Sequence, residues 1–425
     1  MAPHAPRRVV ITGIGLVCAL ADRPEDLWQR LEAGRSAVGV ITRFDPGRLG
    51  CRLAAERSGG CPEIDTGGYA HEIRRAGRFV HYAVAAVERA IGDGGVELDP
   101  EDPAAALWFG VSLGGLDKME DGVIRQETRG PRKVSPYLIA SMLPNMAASL
   151  TALRLGLTWP QYTVAGACAS GVQALGEAFR AIRSGRLSLA LAGGCDAVVT
   201  PIAFSSFLAM RMLSTACDPG GAPRPFDLRA DGTVVGEGAA IFLLEEARRA
   251  ERRGARVYGE ISGYGTSSGA SSIALYSGAD CLRAMAATLA DADLEPAAIG
   301  CVFAQAAGVR QGDESELEAL ETLFSGVAER PAVTSIKGHL GHTFAASGPL
   351  NLAAAAGVVN GRAVPATRNL EQPDPRWPRL GRATTAGDPP IRHCLVNSFG
   401  LGGVNAGLVL SSGSSRGGRP TARTA

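Results

Sequence analysis

The stretch YTVAGACASGVQALGEAFRAIRSGRLSLALAGG (Tyr162–Gly194) decides the fold. Tyr162–Ala167 reads as a short strand. Ser170–Arg183 places Val172, Leu175, Phe179 and Ile182 on one face at helical spacing. Leu187–Gly194 is a short continuous apolar run, the pattern of a buried strand. Strand, helix and strand in direct succession make the repeating unit of an α/β protein.

The same alternation extends in both directions. On the N-terminal side, Arg7–Gly13 reads as a strand. Asp22-Arg-Pro opens a helix through Leu31, with Gly34 just past its end. Arg75–Ile91 is helical, Ala105–Ser112 a buried strand, and Leu143-Pro-Asn starts a helix reaching Leu155. On the C-terminal side, strands are expected at Gly238–Leu244, Val257–Gly263, Cys301–Gln305, His393–Ser398 and Asn405–Leu410. Helices are expected at Ala279–Leu289, Ser315–Phe324 and Ala345–Val359. The tail from Ser411 is polar and rich in Gly, Ser and Arg, the composition of a disordered end.

Composition narrows the function. The chain has 425 residues, with 43 basic and 42 acidic side chains, a net charge of +1. Neither that balance nor any local basic block suits a nucleic-acid coat. No run of 18 or more apolar residues is present, so no membrane span is expected. The N-terminus leads straight into a strand, without a cleavable apolar segment. Nine irregularly spaced Cys suit reduced thiols, so a cytoplasmic protein is expected. Only three lysines occur, Lys118, Lys133 and Lys337, which makes each worth inspecting.

Four segments could carry chemistry. Cys168 sits where a strand turns into a helix, between Gly166 and Gly171. Unpaired amides and the helix dipole favour a thiolate there and can stabilise an oxyanion, although a small buried Cys at a tight turn fits equally. SIKGHLGHTFAASG holds Lys337, His339 and His342 just before a helix. An imidazole beside a thiol can act as a base or donate to a thioester carbonyl. The two His do not match common zinc spacings and have no acidic neighbour, so neither a metal nor another cofactor is expected. NSFGLGGVNAG (Asn397–Gly407) is a Gly-rich loop whose amides can approach a ligand. RPFDLRADGTVVGEGAA (Arg224–Ala240) alone reads as structural.

In this order and spacing, the four segments resemble the β-ketoacyl-acyl carrier protein synthases, the condensing enzymes of fatty acid and type II polyketide pathways. VVITGIGLV near the start and MLPNMAASLTALRLGL before TVAGACASG add to the likeness, which spans about Arg7 to Leu410. The resemblance implies a thiolase-like five-layered αβαβα sandwich of two pseudo-repeated α/β halves. The expected division is 1–256 and 257–411, followed by a tail at 412–425. It implies an acyl carrier protein as partner and a dimer, with itself or with a second ketosynthase subunit.

In that family a Cys takes an acyl chain from the carrier. Two His then bind the thioester carbonyl of malonyl-carrier protein and assist its decarboxylation, leaving an enolate that attacks the acyl group. By resemblance the nucleophile is Cys168, the second His is His342, the Lys is Lys337, and the acidic partner of that Lys is Glu316. The oxyanion hole would use the main-chain N–H of Cys168 and Leu401. Leu401 replaces the usual Phe. A main-chain donor survives that change, but the gate over the acyl pocket is altered. Phe399, Leu401, His339 and Ala307 are expected to line the substrate site.

The sequence departs from the family at the first His. Where Asn-Ala-His-Gly-Thr is expected, this chain reads FAQAAGVRQGDESE, with Ala307 at the His position. Losing one of two donors to the enolate oxygen costs about 2.7–4 kcal/mol, a hundred- to thousandfold, unless His339 or another group compensates. Three readings follow. The first is acylation of Cys168 followed by acyl transfer or an aldol- or Claisen-type closure. The second is a non-condensing chain-length factor, which this stretch resembles, although such subunits usually lack the Cys. The third is an ordinary elongating synthase.

Overall fold

Ten strands of the computed structural model form one sheet, and their order exposes an internal repeat. The structure describes residues 6–47, 49–64, 67–270, 272–377, 380–384 and 388–413. The strands are β1 (Val9–Cys18), β2 (Ala105–Gly110), β3 (Gln161–Val164), β4 (Leu189–Asp196), β5 (Gly238–Glu246), β6 (Gly259–Ser268), β7 (Cys301–Phe303), β8 (Ala332–Thr334), β9 (His393–Gly400) and β10 (Val404–Ser411). The first half is ordered β3-β2-β4-β5-β1 and the second β8-β7-β9-β10-β6, the same path taken twice. A short antiparallel pairing of β1 with β6, Val9 to Ile11 against Gly259 to Ile261, joins them.

The helices sort into three layers. These are α1 (Pro24–Glu32), α2 (Arg78–Gly94), α3 (Met146–Leu155), α4 (Ser170–Arg183), α5 (Gly278–Ala292), α6 (Arg310–Leu323) and α7 (Ser347–Val359). One apolar cluster packs α2 and α3 on the outer face of the first half. Another packs α5 and α6 on the outer face of the second. The largest holds α4 and α7 between the halves, with α1 beside them. Helix, sheet, helix, sheet, helix is the five-layered sandwich.

Sequence explains which helix lies where. The stripe of α4, Val172, Leu175, Phe179 and Ile182, is buried as its spacing predicts. Every residue of α7 is buried, the pattern of a helix apolar all round and enclosed by other elements. Its Pro349 falls in the first turn, where no intrahelical N–H bond is lost.

The helix read as Ser315–Phe324 begins at Arg310. The sequence reading missed the helices Leu116–Arg129 and Pro201–Ala209 and the small sheet of Gly39–Val40, Leu53–Ala55 and Val235–Gly236. Two-residue strands carry no periodicity. The Leu116–Arg129 helix has Leu116, Met119 and Val123 at helical spacing, a short stripe set among charges that the sequence reading passed over; Met119 and Val123 are exposed in the structure. Of the expected tail, 414–425 lies outside the described residues. No described helix is long and apolar enough to cross a membrane.

Candidate active site

The repeat places two equivalent turns face to face. Gly166-Ala-Cys-Ala-Ser170 leads into α4 and Thr343-Phe-Ala-Ala-Ser347 leads into α7. Each contains a non-glycine residue at positive φ, Ala167 at 49° and Phe344 at 52°. Such residues cost about 1–3 kcal/mol each and persist only where the surroundings fix them. Here each turn is stapled by its serine. Ser170 Oγ accepts the Gly166 N–H at 2.8 Å, and Ser347 Oγ accepts the Thr343 N–H at 3.0 Å. The turns approach closely because Gly171 has no side chain: a Cβ there would lie 2.1 Å from the Ala345 carbonyl oxygen.

Cys168 and His342 meet across this contact, with Sγ 3.1 Å from Nε2. His342 Nδ1 lies 2.9 Å from Ser347 Oγ. The His342 backbone is held on both sides, donating to Val234 O at 2.7 Å and accepting from Gly236 N at 2.9 Å. Burial, then the positive charge of Lys337, hold the imidazole well below its ordinary pKa, so it is neutral at pH 7. Burial pushes the Cys168 thiol up to about 12. Lys337 and the main-chain N–H groups of Cys168 and Leu401 act in the opposite direction, while Asp196 adds to the rise. The resting pair is therefore thiol and neutral imidazole rather than an ion pair.

The Gly-rich loop completes the wall. Ser398 of β9 donates to the Cys168 carbonyl at 2.9 Å. A Cβ on Gly400 would lie 3.1 Å from the Cys168 nitrogen. Leu401 follows in the short turn after β9, its N–H acting on the thiol. Phe399 is buried, and its ring packs on Tyr276 with centroids 5.4 Å apart.

Lys337 is buried. Its Nζ lies 3.5 Å from the Ala304 carbonyl, and burial lowers its pKa to about 8, against the opposing pull of Glu316, Cys168 and Asp313. Glu316 is not in contact with it as an ion pair. Its oxygens instead accept from the amides of Gln305 and Ala306 and from Asn397 Nδ2, at 2.8–3.0 Å. Asp313 works alongside, taking the amides of Ala307, Gly308 and Phe226. Ala307 is thus fixed through its backbone, with no polar side chain to offer.

His339 corrects an expectation. It does not line the site or replace the missing imidazole. Its Nδ1 is 2.7 Å from the Arg35 carbonyl and its Nε2 is 3.0 Å from that of Ala366, so both ring nitrogens face backbone carbonyls and not Cys168. No group of His, Cys, Asp and Glu suited to a metal occurs among the described residues, and all nine Cys are free thiols.

Reading the sequence missed Ser347, Ser398 and Asp196. Asp196 ends β4 fully buried and accepts the amides of Ser112, Leu113 and Ala345, tying the two halves together behind the thiol. The signal was available: an acid closing an otherwise apolar strand must find donors at that end.

Known proteins resemble this chain along nearly its whole length. The family models "Beta-ketoacyl synthase, N-terminal domain" and "Beta-ketoacyl synthase, C-terminal domain" match residues 6–250 and 258–371. A 3-oxoacyl-[acyl-carrier-protein] synthase 2 of Synechocystis is 35% identical over 421 residues, covering 96% of this chain and 99% of that protein. A putative polyketide beta-ketoacyl synthase 1 of Streptomyces cyaneus is 34% identical over 426 residues, covering 96% and 99%. Among solved structures, the ishigamide ketosynthase/chain length factor superposes with a TM-score of 0.88 at 30% identity, covering 96% of this chain and 100% of that one. A ketosynthase in complex with its type II PKS acyl-carrier protein superposes with a TM-score of 0.85 at 25% identity, with the same coverage. Two matched halves, relatives above 30% identity along their full length and a thiol–imidazole pair between the halves lead to one assignment: the chain belongs to the β-ketoacyl synthase family.

Proposed function

We propose that this chain takes an acyl group from an acyl carrier protein onto Cys168 and joins it to a carrier-bound extender by Claisen-type condensation. The observation that carries this reading is the buried Cys168–His342 pair at 3.1 Å, beside the Cys168 and Leu401 amides. The thiol attacks the acyl thioester carbonyl, the carrier thiol leaves, and the two amides hold the oxyanion. His342 then donates from Nε2 to the extender's thioester oxygen as its carboxylate departs. Lys337 sets the local field, lowering the pKa of both the thiol and the imidazole. Glu316 and Asp313 position the Ala307 loop. The relatives named as 3-oxoacyl and polyketide synthases favour elongation over a silent subunit, as does retention of Cys168. Ala307 favours a second reading, acyl transfer or cyclisation without decarboxylation.

The carrier is acidic by class, and the structure offers a cleft of about 550 Å³ lined by Arg74, Arg75, Lys118, Arg125, Arg132 and Lys133 against the single acid Asp121. Two of the three lysines lie here. We assign this cleft to carrier docking. A second ketosynthase chain would cover the edge strand β3 and the exposed Tyr162, Ile139, Leu143 and Leu153 near it. Reduced thiols and a carrier partner suit a cytoplasmic setting.

The test is intact-mass measurement after incubation with acyl-carrier proteins. One acyl adduct per chain, absent in Cys168→Ala, is expected. No adduct from any carrier-bound acyl group overturns the reading.

A further inference from the structure

Ala307 leaves the extender's oxygen with one side-chain donor, and the phenol of Tyr276 lies against the turn of α6 whose Asp313 holds the Ala307 amide. Tyr276 precedes α5, in the segment that runs along the Gly-rich loop. Gly402 N–H donates to the Ile273 carbonyl at 2.8 Å, and Gly269 N–H to the Gly403 carbonyl at 2.7 Å. The Tyr276 ring lies on Phe399, two residues before Leu401. Its oxygen is over the first turn of α6: a Cβ on Gly312 would come within 2.9 Å of it. The next residue, Asp313, holds the Ala307 amide at 2.9 Å. The phenol thus lies between Phe399, two residues before Leu401, and the first turn of α6, which anchors the Ala307 loop through Asp313, and Cys168 is near enough to act on its charge. Among the described residues its hydroxyl has no hydrogen-bond partner.

We propose that Tyr276 is a further catalytic residue, its phenol donating a hydrogen bond to the thioester oxygen of the extender on the side where Ala307 provides none. The inference rests on the condensation proposed above. In the step concerned, the bond between the methylene carbon and the carboxylate breaks, and carbon dioxide leaves. The electron pair moves to the thioester oxygen, which His342 and Tyr276 then share. The phenol keeps its proton. When the enolate carbon bonds to the acyl carbon, the Cys168 sulfur leaves as thiolate and takes a proton from solvent. Burial, reinforced by Glu316, Cys281 and Asp313, raises the phenol well above its ordinary pKa, so it remains a donor throughout the working range.

Tyr276→Phe keeps the ring on Phe399 and removes only the oxygen. Carbon dioxide release from malonyl-carrier protein, which needs no acyl group on Cys168, should fall by about 10- to 100-fold. Acyl loading of Cys168, followed by intact mass, should not change. In an Ala307→His background, where the imidazole supplies the second donor, the same substitution should cost much less. Unchanged release in Tyr276→Phe overturns the proposal, as does an equal loss in both backgrounds or release at background in the unaltered protein. Failure of Cys168 to load, with release intact and sensitive to Tyr276, would instead overturn the acyl-transfer reading alone.

Discussion

Replacing Ser347 with Ala tests how His342 holds its proton. Ser347 Oγ accepts the Thr343 N–H at 3.0 Å and lies 2.9 Å from His342 Nδ1 and 3.1 Å from Thr343 Oγ1. The amide proton already points at Oγ, which leaves the serine proton to go either to Nδ1 or to Thr343 Oγ1; the reaction proposed above requires the first. The ring proton then sits on Nε2, the nitrogen facing Cys168. Alanine removes that constraint. The buried Thr343 amide is stranded, which costs about 1–3 kcal/mol. That is smaller than the roughly 5–15 kcal/mol stability of an ordinary domain, so the variant should fold with a lowered melting point. The reaction should suffer separately. A ring with its proton on Nδ1 presents an acceptor where the extender's oxygen needs a donor. Complete loss of one such donor costs a hundred- to thousandfold, about 2.7–4 kcal/mol, and partial loss should cost about tenfold or more. Acyl loading depends on main-chain amides and should change less. The assay measures carbon dioxide release and intact-mass acylation in parallel, at a temperature where the variant is folded. Release within about twofold of the parent refutes the tautomer argument.

Ala307→His should raise carbon dioxide release, because the ring adds a donor beside His342 and the Tyr276 phenol; a rate at or below the parent's would show that the Ala307 loop does not face the extender. Lys337→Met should stabilise the chain at neutral pH. The folded-state pKa of Lys337, about 8, lies below its ordinary 10.5, so the unfolded chain binds more protons between these values and stability rises with pH across that window. The advantage of the variant should be full below pH 8 and vanish towards 10.5; denaturant midpoints that differ equally at pH 7 and at pH 10 would contradict this. The same variant should slow alkylation of Cys168, since it removes a cation that lowers the thiol's pKa. Loading from a carrier protein should slow as salt rises, with surface charges screened beyond about 8–10 Å, while loading from a small thioester should not. Arg75→Glu should reduce only the former, and equal salt responses would remove the basic cleft as the docking surface.

The layers were legible because both core periodicities are strong. The apolar stripe of α4 and the unbroken runs of β2 and β4 each specify one element, and the Ala-rich α7 announces a helix enclosed on all sides. The helix Leu116–Arg129 was less legible because its short apolar stripe is set among charges where it borders the basic cleft. The residue pattern starts α6 at Ser315, whereas the helix begins at Arg310. Arg310 to Glu314 carry no apolar stripe, and their helicity depends on Asp313 and Glu316 reaching back to the amides of 305–308. That is a tertiary requirement, which local propensity does not record.

The site was legible as four segments but not as a contact. Sequence marked Cys168 and His342 through their turns, yet their meeting depends on a relation between halves. Gly171 and Gly194 both lie against the Ala345 carbonyl, at 2.1 and 2.2 Å for an added Cβ. Asp196 spans the same seam to the Ala345 amide at 2.9 Å. Thiol and imidazole are therefore presented by two copies of one stapled turn, and the seam between the copies is where both are buried. Burial explains the electrostatics as well: it raises the thiol, depresses the imidazole and lowers Lys337 together. In the proposed reaction a site so arranged holds a neutral pair at rest, and the enolate's charge develops on the extender's oxygen, where fixed donors await it. The number of those donors, rather than the reactivity of Cys168, then sets the rate of the second step. In the proposed condensation Ala307, a residue with no chemistry of its own, therefore limits the second step.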